Sequence, residues 1–220
     1  MTLYRIGLIT TLLGAVVTQS VFGSIHVGAS VGGDWRRCKY SSTNDSDVKK
    51  FKKTSPNAEI DAGIDVLYNN WSVGLEVAIG QTFGTVKHSW TYEASGVDIT
   101  HNTKLNAKIS VGPRGVVAYQ FYPDWWVEAI GGVQIAKYKV DVAITASSVD
   151  EKGIANKNKI HPVIGFGLSH NFGDWYMKLR YMCICNGKIG SVVISPRIPL
   201  EKAEVKCNTR RIQLCVGWRQ

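Results

Sequence analysis

Charged side chains occur on the polar faces of several alternating, otherwise apolar stretches of this sequence. Six of them, both carboxylates and cations, share the polar faces of alternating segments: Asp65, Glu76, Glu128, Lys178, Arg180 and Arg211. Side chains two residues apart point to the same face of a strand, so these segments have one apolar and one charged face. An enclosed charge without a partner is costly, and enclosed charges of opposite sign therefore pair. The pattern predicts a lumenal ion-pair network that acts either as a plug or as a rearranging gate.

Histidine, serine and acidic residues, the types that acyl-transfer enzymes combine, are also present. Their positions do not bring them together. Ser169 and His170 are consecutive and therefore face opposite sides of a strand. His161 and His26 have no serine and acidic residue at a matching height. We therefore expect no catalytic residues and no cofactor.

The five cysteines are a second source of chemistry. No set of Cys and His has the spacing of zinc ligands, so the sequence predicts no metal site. Cys183 or Cys185 and Cys207 flank one polar segment on adjacent antiparallel strands. In an oxidising compartment such thiols pair, which predicts a disulfide between Cys207 and one of the other two. The odd total leaves at least one thiol free.

The chain is basic, with a formal net charge of +9. One cluster stands out within a polar segment: Lys49, Lys50, Lys52 and Lys53. One interpretation is a solvated surface that contacts lipopolysaccharide phosphates, and the other is attraction to anionic host surface molecules. No nucleic-acid-binding module is recognisable, so nucleic acid is not an expected partner.

Long alternating strands joined by tight turns must position these residues. Residues 163–181 form two such strands around Phe172-Gly-Asp-Trp175, and similar turns occur at 68–71 and 121–125. Gly, Asn and Asp at the turn centres are typical of hairpins. The sequence therefore predicts eight strands. Their connections alternate between short turns and four long polar segments, which lie at about 34–57, 84–103, 146–158 and 184–206.

Two irregularities are expected within the strands. Gly112, Pro113 and Gly115 interrupt the fourth strand, which predicts a bulge or bend there. In the fifth strand the apolar residues move from odd positions to even positions between Ile135 and Tyr138. This change of parity predicts a second bulge.

Residues 1–23 have the pattern of a secretory signal peptide. Arg5 precedes the apolar stretch 6–17, and small residues lead to a cleavage position after Gly23. The apolar stretch is shorter than the roughly 20 residues of a spanning helix. The sequence therefore predicts an exported protein whose single domain is 24–220. Only a closed barrel could carry this domain through a bilayer, because unpaired backbone groups are too costly in lipid.

Aromatic residues gather at the end of the strands that carries the short turns. They include five tryptophans: Trp71, Trp125, Trp126, Trp175 and Trp218. Tryptophan is enriched at membrane interfaces, so we interpret this row as an inner aromatic girdle. Four further aromatic residues are candidates for its outer counterpart: Trp35, Trp90, Tyr92 and Tyr138.

Together these features resemble the eight-stranded outer-membrane barrels of the opacity and OmpA type. The resemblance extends over the whole chain after the signal peptide. It is most specific in the glycine-rich first strand, in Trp175-Tyr-Met-Lys-Leu-Arg-Tyr181 and in the last strand near Trp218. It implies an all-β, eight-stranded antiparallel up-and-down transmembrane β-barrel in the cell outer membrane. The implied partners are outer-membrane lipid, lipopolysaccharide and the outer-membrane insertion machinery.

The function that follows is structural and surface-exposed, with a plugged polar lumen and adhesion through four long basic loops. A narrow gated channel of the small-porin type is the main alternative. An outer-leaflet lipid A-modifying enzyme and a soluble lipocalin-like carrier are two others. Lipocalins line their interior with apolar residues, so the charged faces argue against a carrier.

Overall fold

The computed structural model describes residues 23–42, 48–94, 96–146, 149–185, 187–193 and 202–220. The predicted signal peptide lies outside the described residues except for Gly23, which begins the first strand. No helix in the described part of the chain is long and apolar enough to cross a membrane.

The described chain consists of ten β strands. In order they are β1 Gly23–Ser42, β2 Lys49–Tyr68, β3 Trp71–Thr82, β4 Thr85–Ala94, β5 Val97–Tyr122, β6 Trp125–Ala146, β7 Val149–Phe172, β8 Trp175–Ile184, β9 Lys188–Val193 and β10 Lys202–Arg219.

The strands form one antiparallel ring. Sequence neighbours pair around the sheet, and β1 closes it by pairing with β10 from His26↔Arg219 to Ser42↔Ala203. Strands β3 and β4 both pair with β5, and β8 and β9 both pair with β10, so each couple shares one position in the ring. The ring therefore has eight positions. The predicted eight-stranded antiparallel up-and-down barrel is confirmed.

The three tight turns depend on residues that tolerate the left-handed backbone conformation. The φ angles are 52° at Asn69, 64° at Asp124 and 66° at Gly173. Asn and Asp adopt this region more readily than other side chains, and glycine adopts it without steric cost. These three turns lie at the same end of the barrel as Gly23 and Gln220, and we call it the turn end.

The half of the barrel next to the turn end is apolar outside. Its exterior carries a continuous band of exposed aliphatic and aromatic side chains, among them Val27, Ile60, Leu75, Val117, Val127, Phe166, Leu179 and Leu214. Its interior carries charged and polar side chains that are almost fully buried. A closed ring with this exterior satisfies its backbone groups internally and presents hydrocarbon to lipid. We call this half the membrane half (residues 23–35, 56–83, 109–135, 160–184 and 209–220), and its strands are transmembrane.

The barrel continues well beyond the apolar band, and there its two faces exchange character. This distal half (described residues 36–42, 48–55, 84–94, 96–108, 136–146, 149–159, 185, 187–193 and 202–208) encloses an apolar core that includes Tyr40, Val86, Leu105, Tyr138, Val140, Val142 and Ile144. Its exterior is largely polar, and Val48 and Ile154 are the large exposed hydrophobic residues among its described side chains. The distal half is therefore packed in the way that a water-soluble barrel is packed.

The bounds predicted for the four long loops are wrong, and parts of these segments (43–47, 95, 147–148, 186 and 194–201) lie outside the described residues. Most residues of those polar segments belong to strands, since β1 runs to Ser42 and β2 begins at Lys49. The basic cluster 49–53 accordingly lies on β2 and not on a loop. A polar exterior was mistaken for a connection because a strand in water has no reason to remain apolar outside.

The two predicted irregularities are also placed differently. The register between β5 and β6 shifts between Ala107 and Ser110, ahead of the Gly112-Pro113 pair, and this bulge leaves both Lys108 and Ile109 exposed. The second bulge is wrong, because β6 pairs with β7 in one register from Trp125 to Ala146. Even-numbered residues of β6 point inward throughout, and only the polarity of the interior changes.

The girdle prediction needs one correction at the turn end. Trp71, Trp175 and Trp218 are exposed on the exterior, and Trp125 is half-buried against His170. Trp126 is buried, because consecutive residues of a strand point to opposite faces and its side chain enters the lumen.

Of the four outer-girdle candidates, the structure describes the side chains of three and places one of them on the exterior. Trp35 is exposed at the distal edge of the apolar band, whereas Tyr138 is buried and Trp90 packs against the distal core. The side chain of Tyr92 lies outside the described part of the structure.

Candidate functional site: the lumenal ion-pair chain

The centre of the lumen is occupied by a cation that joins opposite walls. Arg180 of β8 donates from Nη1 and Nη2 to the two carboxylate oxygens of Glu76 of β3, at 2.8 and 3.0 Å. Its Nε donates to Glu128 of β6 at 3.1 Å, and Lys178 lies 3.5 Å from the same carboxylate. Strands β3 and β8 occupy opposite positions of the ring, so the pair crosses the lumen. Bidentate arginine–carboxylate pairs are among the strongest charge-assisted hydrogen bonds.

The pairing continues towards the distal half. Arg114 lies 3.7 Å from Glu76 and makes a bidentate contact with Glu59, at 2.6 and 2.8 Å. Glu59 also accepts from Arg211 at 3.0 Å, and Arg211 makes a second bidentate contact with Asp34, at 2.7 and 3.1 Å. Each cation here contacts two acids, so no carboxylate in this row is left with a single partner.

The row ends distally at a carboxylate that is fully satisfied by neighbouring side chains. Asp34 accepts from the hydroxyl of Thr82 at 2.7 Å and from the amide of Asn57 at 2.9 Å. Arg36 lies 3.5 Å from it. Asn57 in turn accepts from the amide of Gln213 at 2.9 Å.

Towards the turn end the pairing passes through a histidine. His26 Nε2 lies 3.8 Å from Glu76, and His26 Nδ1 lies 3.0 Å from Asp65. Asp65 also accepts from Arg219 at 2.9 Å. Arg219 is the most exposed member, with 21% of its side-chain surface accessible.

These contacts form an unbroken series, which we call the ion-pair chain. Its members are Arg36, Asp34, Arg211, Glu59, Arg114, Glu76, Arg180, Glu128, Lys178, His26, Asp65 and Arg219. All six charged residues assigned to a network from the sequence lie on it, including the Glu76–Arg180 pair. The structure adds six residues. Glu59 and Arg114 were detectable by their inward parity, whereas Asp34 and Arg36 fall in a segment interpreted as a loop.

One lumenal carboxylate stands beside the chain. Asp61 Oδ1 accepts from the thiol of Cys215 at 3.5 Å, and its Oδ2 has no hydrogen-bond partner in the described part of the protein. Tyr176 fills the adjoining space against Gly28 and Gly217, where a larger residue would collide with its ring or hydroxyl. Glycine is required at both positions for this close approach.

The same region holds a group of potential metal ligands. Ligand atoms of His26, Asp61 and Glu76 lie within 4.8 Å of one another. Both oxygens of Glu76 already accept hydrogen bonds from Arg180. The carboxylate is therefore committed to a guanidinium, and the arrangement favours ion pairing over metal coordination.

Little free space remains at the junction of the two halves. A cavity of about 10 Å³, lined in part by Asp34, Arg36, Tyr138 and Arg211, has room for about one water molecule. The apolar core of the distal half begins immediately beyond it. The lumen is therefore filled by ions on one side of this junction and by hydrocarbon on the other.

The disulfide predicted from the sequence is wrong. Cys207 pairs with Cys38 across β1 and β10, and Cys183, Cys185 and Cys215 are free thiols. Cys38 and Cys207 occupy directly opposed positions of the ladder that closes the ring. The sequence places Cys38 at the same end of the strands as these cysteines, but its segment was interpreted as a loop, so it was not placed opposite Cys207.

In the distal half a row of stacked aromatic side chains connects β2 and β4, two strands that do not pair with each other over their described residues. Strand β4 pairs with β5 instead. Phe51 of β2 stacks on His88 of β4 at 4.8 Å between ring centroids, and the row continues through Trp90 to His101. Burial and the positive charge of Lys49 lower the pKa of His88 below its ordinary value.

No protein-family model matches the chain, and neither does any curated protein sequence. Among solved structures, the Neisserial surface protein A aligns with 90% of this chain and 99% of its own, at 14% identity and a TM-score of 0.41. Ail, the attachment invasion locus protein of Yersinia pestis, covers 89% and 98%, at 14% identity and 0.35. The outer membrane protease OmpT of Escherichia coli covers 92% and 98%, at 7% identity and 0.49. Alignments this loose transfer no function to the chain.

Proposed function

We propose that the protein is a non-conducting outer-membrane barrel that holds a basic, surface-exposed distal half outside the cell. Adhesion to anionic molecules is the role that this distal half fulfils. The ion-pair chain is the observation that carries the proposal, because its side chains cross the lumen of the membrane half and pair there. The signal-peptide pattern of residues 1–23 supports export.

The plug interpretation is favoured over the gated channel by the connectivity of the charges. A gate requires charges that move apart at low cost. Arg180 is held by Glu76 and Glu128 from two strands, and removing one partner from a buried pair costs about 3–5 kcal/mol. The apolar core beyond the chain would have to open as well, since it fills the same lumen.

The exterior of the distal half supports an interaction with anionic molecules. Its exposed cations include Arg37, Lys39, Lys50, Lys52, Lys87, Lys104, Lys137, Lys152, Lys157 and Lys206. Glu93 and Asp98 are the acids that are fully exposed on the same described surface. Clustered charge of one sign attracts oppositely charged partners and raises their association rate. These cations lie on strands, so the sheet sets the spacing of the backbone positions that carry them.

Conductance in planar bilayers tests the plug. The wild-type protein should give no single-channel steps, because paired charged side chains occupy the lumen of the membrane half. Glu76→Ala with Arg180→Ala removes the central pair and should produce steps. Lys87→Ala with Lys104→Ala on the distal exterior is the control and should stay silent. Regular steps from the wild-type protein would establish the gated channel instead.

Retention on immobilised heparin tests the anionic-surface role. Wild-type protein in detergent should bind at low salt and elute as salt screens its exposed charges. Lys39→Glu with Lys50→Glu reverses two directly opposed cations of β1 and β2 and should elute earlier. Equal elution of the variant and the wild type would remove this role while leaving the plug untouched.

We also propose that the protein is not an enzyme. Ser169 is buried in the lumen, whereas the His170 ring stacks on Trp125 and contacts the Asp124 carbonyl at the turn end. His26, the buried histidine with an acidic partner, contacts Asp65 and Glu76. Mass spectrometry of lipid A from cells with and without the protein should give identical profiles. A protein-dependent change in acylation would overturn this proposal.

A further inference from the structure

A cleft of about 430 Å³ opens on the exterior of the barrel at the distal edge of the apolar band. It spans β2, β1, β10 and β8. The side chains that define it are Trp35, Arg37, Lys52, Tyr181, Arg210 and Ile212. We call it the rim cleft.

The ladder registers explain why these residues converge. Arg37 lies directly opposite Lys52, and Trp35 lies directly opposite Arg210. Ile212 is two residues along β10 from Arg210 and is therefore on the same face. The result is a cluster of cations on one side of the cleft and an apolar floor on the other. Trp35 and Ile212 remain 43% and 40% exposed, so the floor is open to the surroundings.

Three cations of the rim cleft lack an acidic partner among the described residues. None of Arg37, Lys52 and Arg210 forms an ion pair with an acid in the part of the chain that the structure describes. Like charges directly opposite each other destabilise a sheet, so the Arg37–Lys52 pair opposes folding. An external anion would remove this repulsion.

The height of the rim cleft limits what that anion can be. The floor residues Trp35 and Ile212 are the last members of the exterior apolar band on β1 and β10, whereas Arg37 and Arg210 are the first charges beyond it. This is the level at which lipid hydrocarbon gives way to headgroups. Guanidinium groups match phosphate in bidentate geometry, and an indole suits the apolar–polar boundary. A ligand that is both apolar below and anionic above fits the cleft.

We propose that the rim cleft binds a phosphorylated glycolipid of the outer leaflet. Arg37 and Arg210 hold its phosphate, Lys52 adds charge, and Trp35 and Ile212 contact the start of its acyl chains. The inference rests on the outer-membrane location in the proposed function. It differs from adhesion because its ligand lies in the same membrane as the barrel.

Native mass spectrometry of the purified chain in detergent tests the site. Bisphosphorylated lipid A is titrated against the wild type, against Arg37→Ala with Arg210→Ala, and against Lys87→Ala with Lys104→Ala. The control also removes two directly opposed exposed cations, but above the band and without an apolar floor. The cleft variant should bind about tenfold more weakly or worse, and the control should bind like the wild type. Equal weakening of both variants would overturn the site in favour of nonspecific charge.

Two further arms distinguish the source of the phosphate. Phosphate-free lipid A should lose affinity for the wild type and show little difference between wild type and cleft variant. Inorganic phosphate at millimolar concentration should not displace bound lipid A; complete displacement would overturn a lipid site. A second variant, Arg37→Lys with Arg210→Lys, keeps both charges and tests the site even if the alanine variant misfolds. It should bind lipid A with an affinity between those of the wild type and the alanine variant. If the wild-type protein fails to bind lipid A but gives no single-channel steps, only this inference is overturned. If the wild-type protein conducts but binds lipid A at the rim cleft, only the plug is overturned.

Discussion

In the membrane half the interior holds charges and the exterior holds aliphatic side chains, and in the distal half this arrangement is reversed. Strand β6 passes through both halves without a change of register. Its inward residues are Trp126, Glu128 and Ile130 near the turn end and Tyr138, Val140 and Val142 farther along. The same backbone therefore serves two packing schemes, and the surrounding solvent decides which scheme is stable.

The two halves are held together by different forces. Water drives apolar side chains into the distal interior, because burial removes them from contact with solvent. Lipid gives no such drive in the membrane half, where an apolar side chain is equally well solvated outside. The interior of the membrane half is instead held by charge-assisted hydrogen bonds, which are strong where water is excluded. This difference predicts opposite responses to the same kind of substitution.

The largest effect is expected from removing a charge in the membrane half. Glu76→Ala leaves Arg180 with one carboxylate and weakens contacts of Arg114 and His26. The free energy of unfolding should fall by about 3–5 kcal/mol in urea titrations of the reconstituted protein. Arg180→Ala in the same chain should restore part of the loss. Additive single-variant losses in the double-mutant cycle would show that the two residues are not coupled.

The matched substitution of an apolar residue in the distal half sharpens the contrast. Leu105 is completely buried in the distal core, and Leu105→Ala should lower the free energy of unfolding by about 2–5 kcal/mol. Hydrogen exchange should accelerate in the distal strands and remain slow around Glu76. The exposed neighbour Lys104→Ala is the control, with a change within about 0.5 kcal/mol. Uniform acceleration throughout the barrel would mean that the two halves unfold as one unit.

An arginine placed on the exterior should destabilise the membrane half and have little effect on the distal half. Leu75 is 66% exposed in the apolar band, and Leu75→Arg should cost about 2–4 kcal/mol because the charge enters lipid. Leu179→Arg on β8 should behave in the same way. Asn156→Arg places the same charge on the exposed face of β7 in the distal half and should cost less than about 0.5 kcal/mol. Normal insertion of either leucine variant, read from heat-dependent gel mobility, would contradict the position of the band.

The smallest effect concerns acidification of the distal half. The pKa of His88 is lowered in the folded protein, so its contribution to stability is complete above its unfolded pKa of about 6.5. That contribution is lost as the pH falls through the folded pKa, because the unfolded chain then binds the proton more readily. His88→Gln should therefore reduce the loss of stability between pH 7.5 and pH 5.5, about one unit either side of 6.5. An unchanged pH dependence would assign the loss to other histidines.

The features that alternate strictly could be predicted from the sequence. Eight strands, the tight turns and the pairing of Glu76 with Arg180 follow from parity and from counting residues above each turn. Such reasoning succeeds in the membrane half because lipid imposes one pattern on every strand. The assignment of Trp126 to the girdle was wrong, because it followed from the number of tryptophans near the turn end. The alternation of faces along β6 places this residue in the lumen.

The distal half could not be predicted in the same way. Its strands are polar outside, and their inward residues change from charged to apolar. Apolar residues such as Val140 therefore fall at the positions expected for the polar face, and this change was interpreted as a bulge. The Cys38–Cys207 bond was missed for the same reason, since the register that opposes the two residues lies beyond the apolar band. Long-range register depends on ring closure, which no local pattern encodes.

The disulfide between Cys38 and Cys207 joins the first strand to the last, across 169 residues of sequence. A barrel built from one chain has a single seam where its beginning meets its end, and here that seam is covalently locked at the distal side. The wall therefore cannot part laterally at this place to admit a lipid or release a strand. The bond and the closing ladder therefore hold the same two strands in the same register.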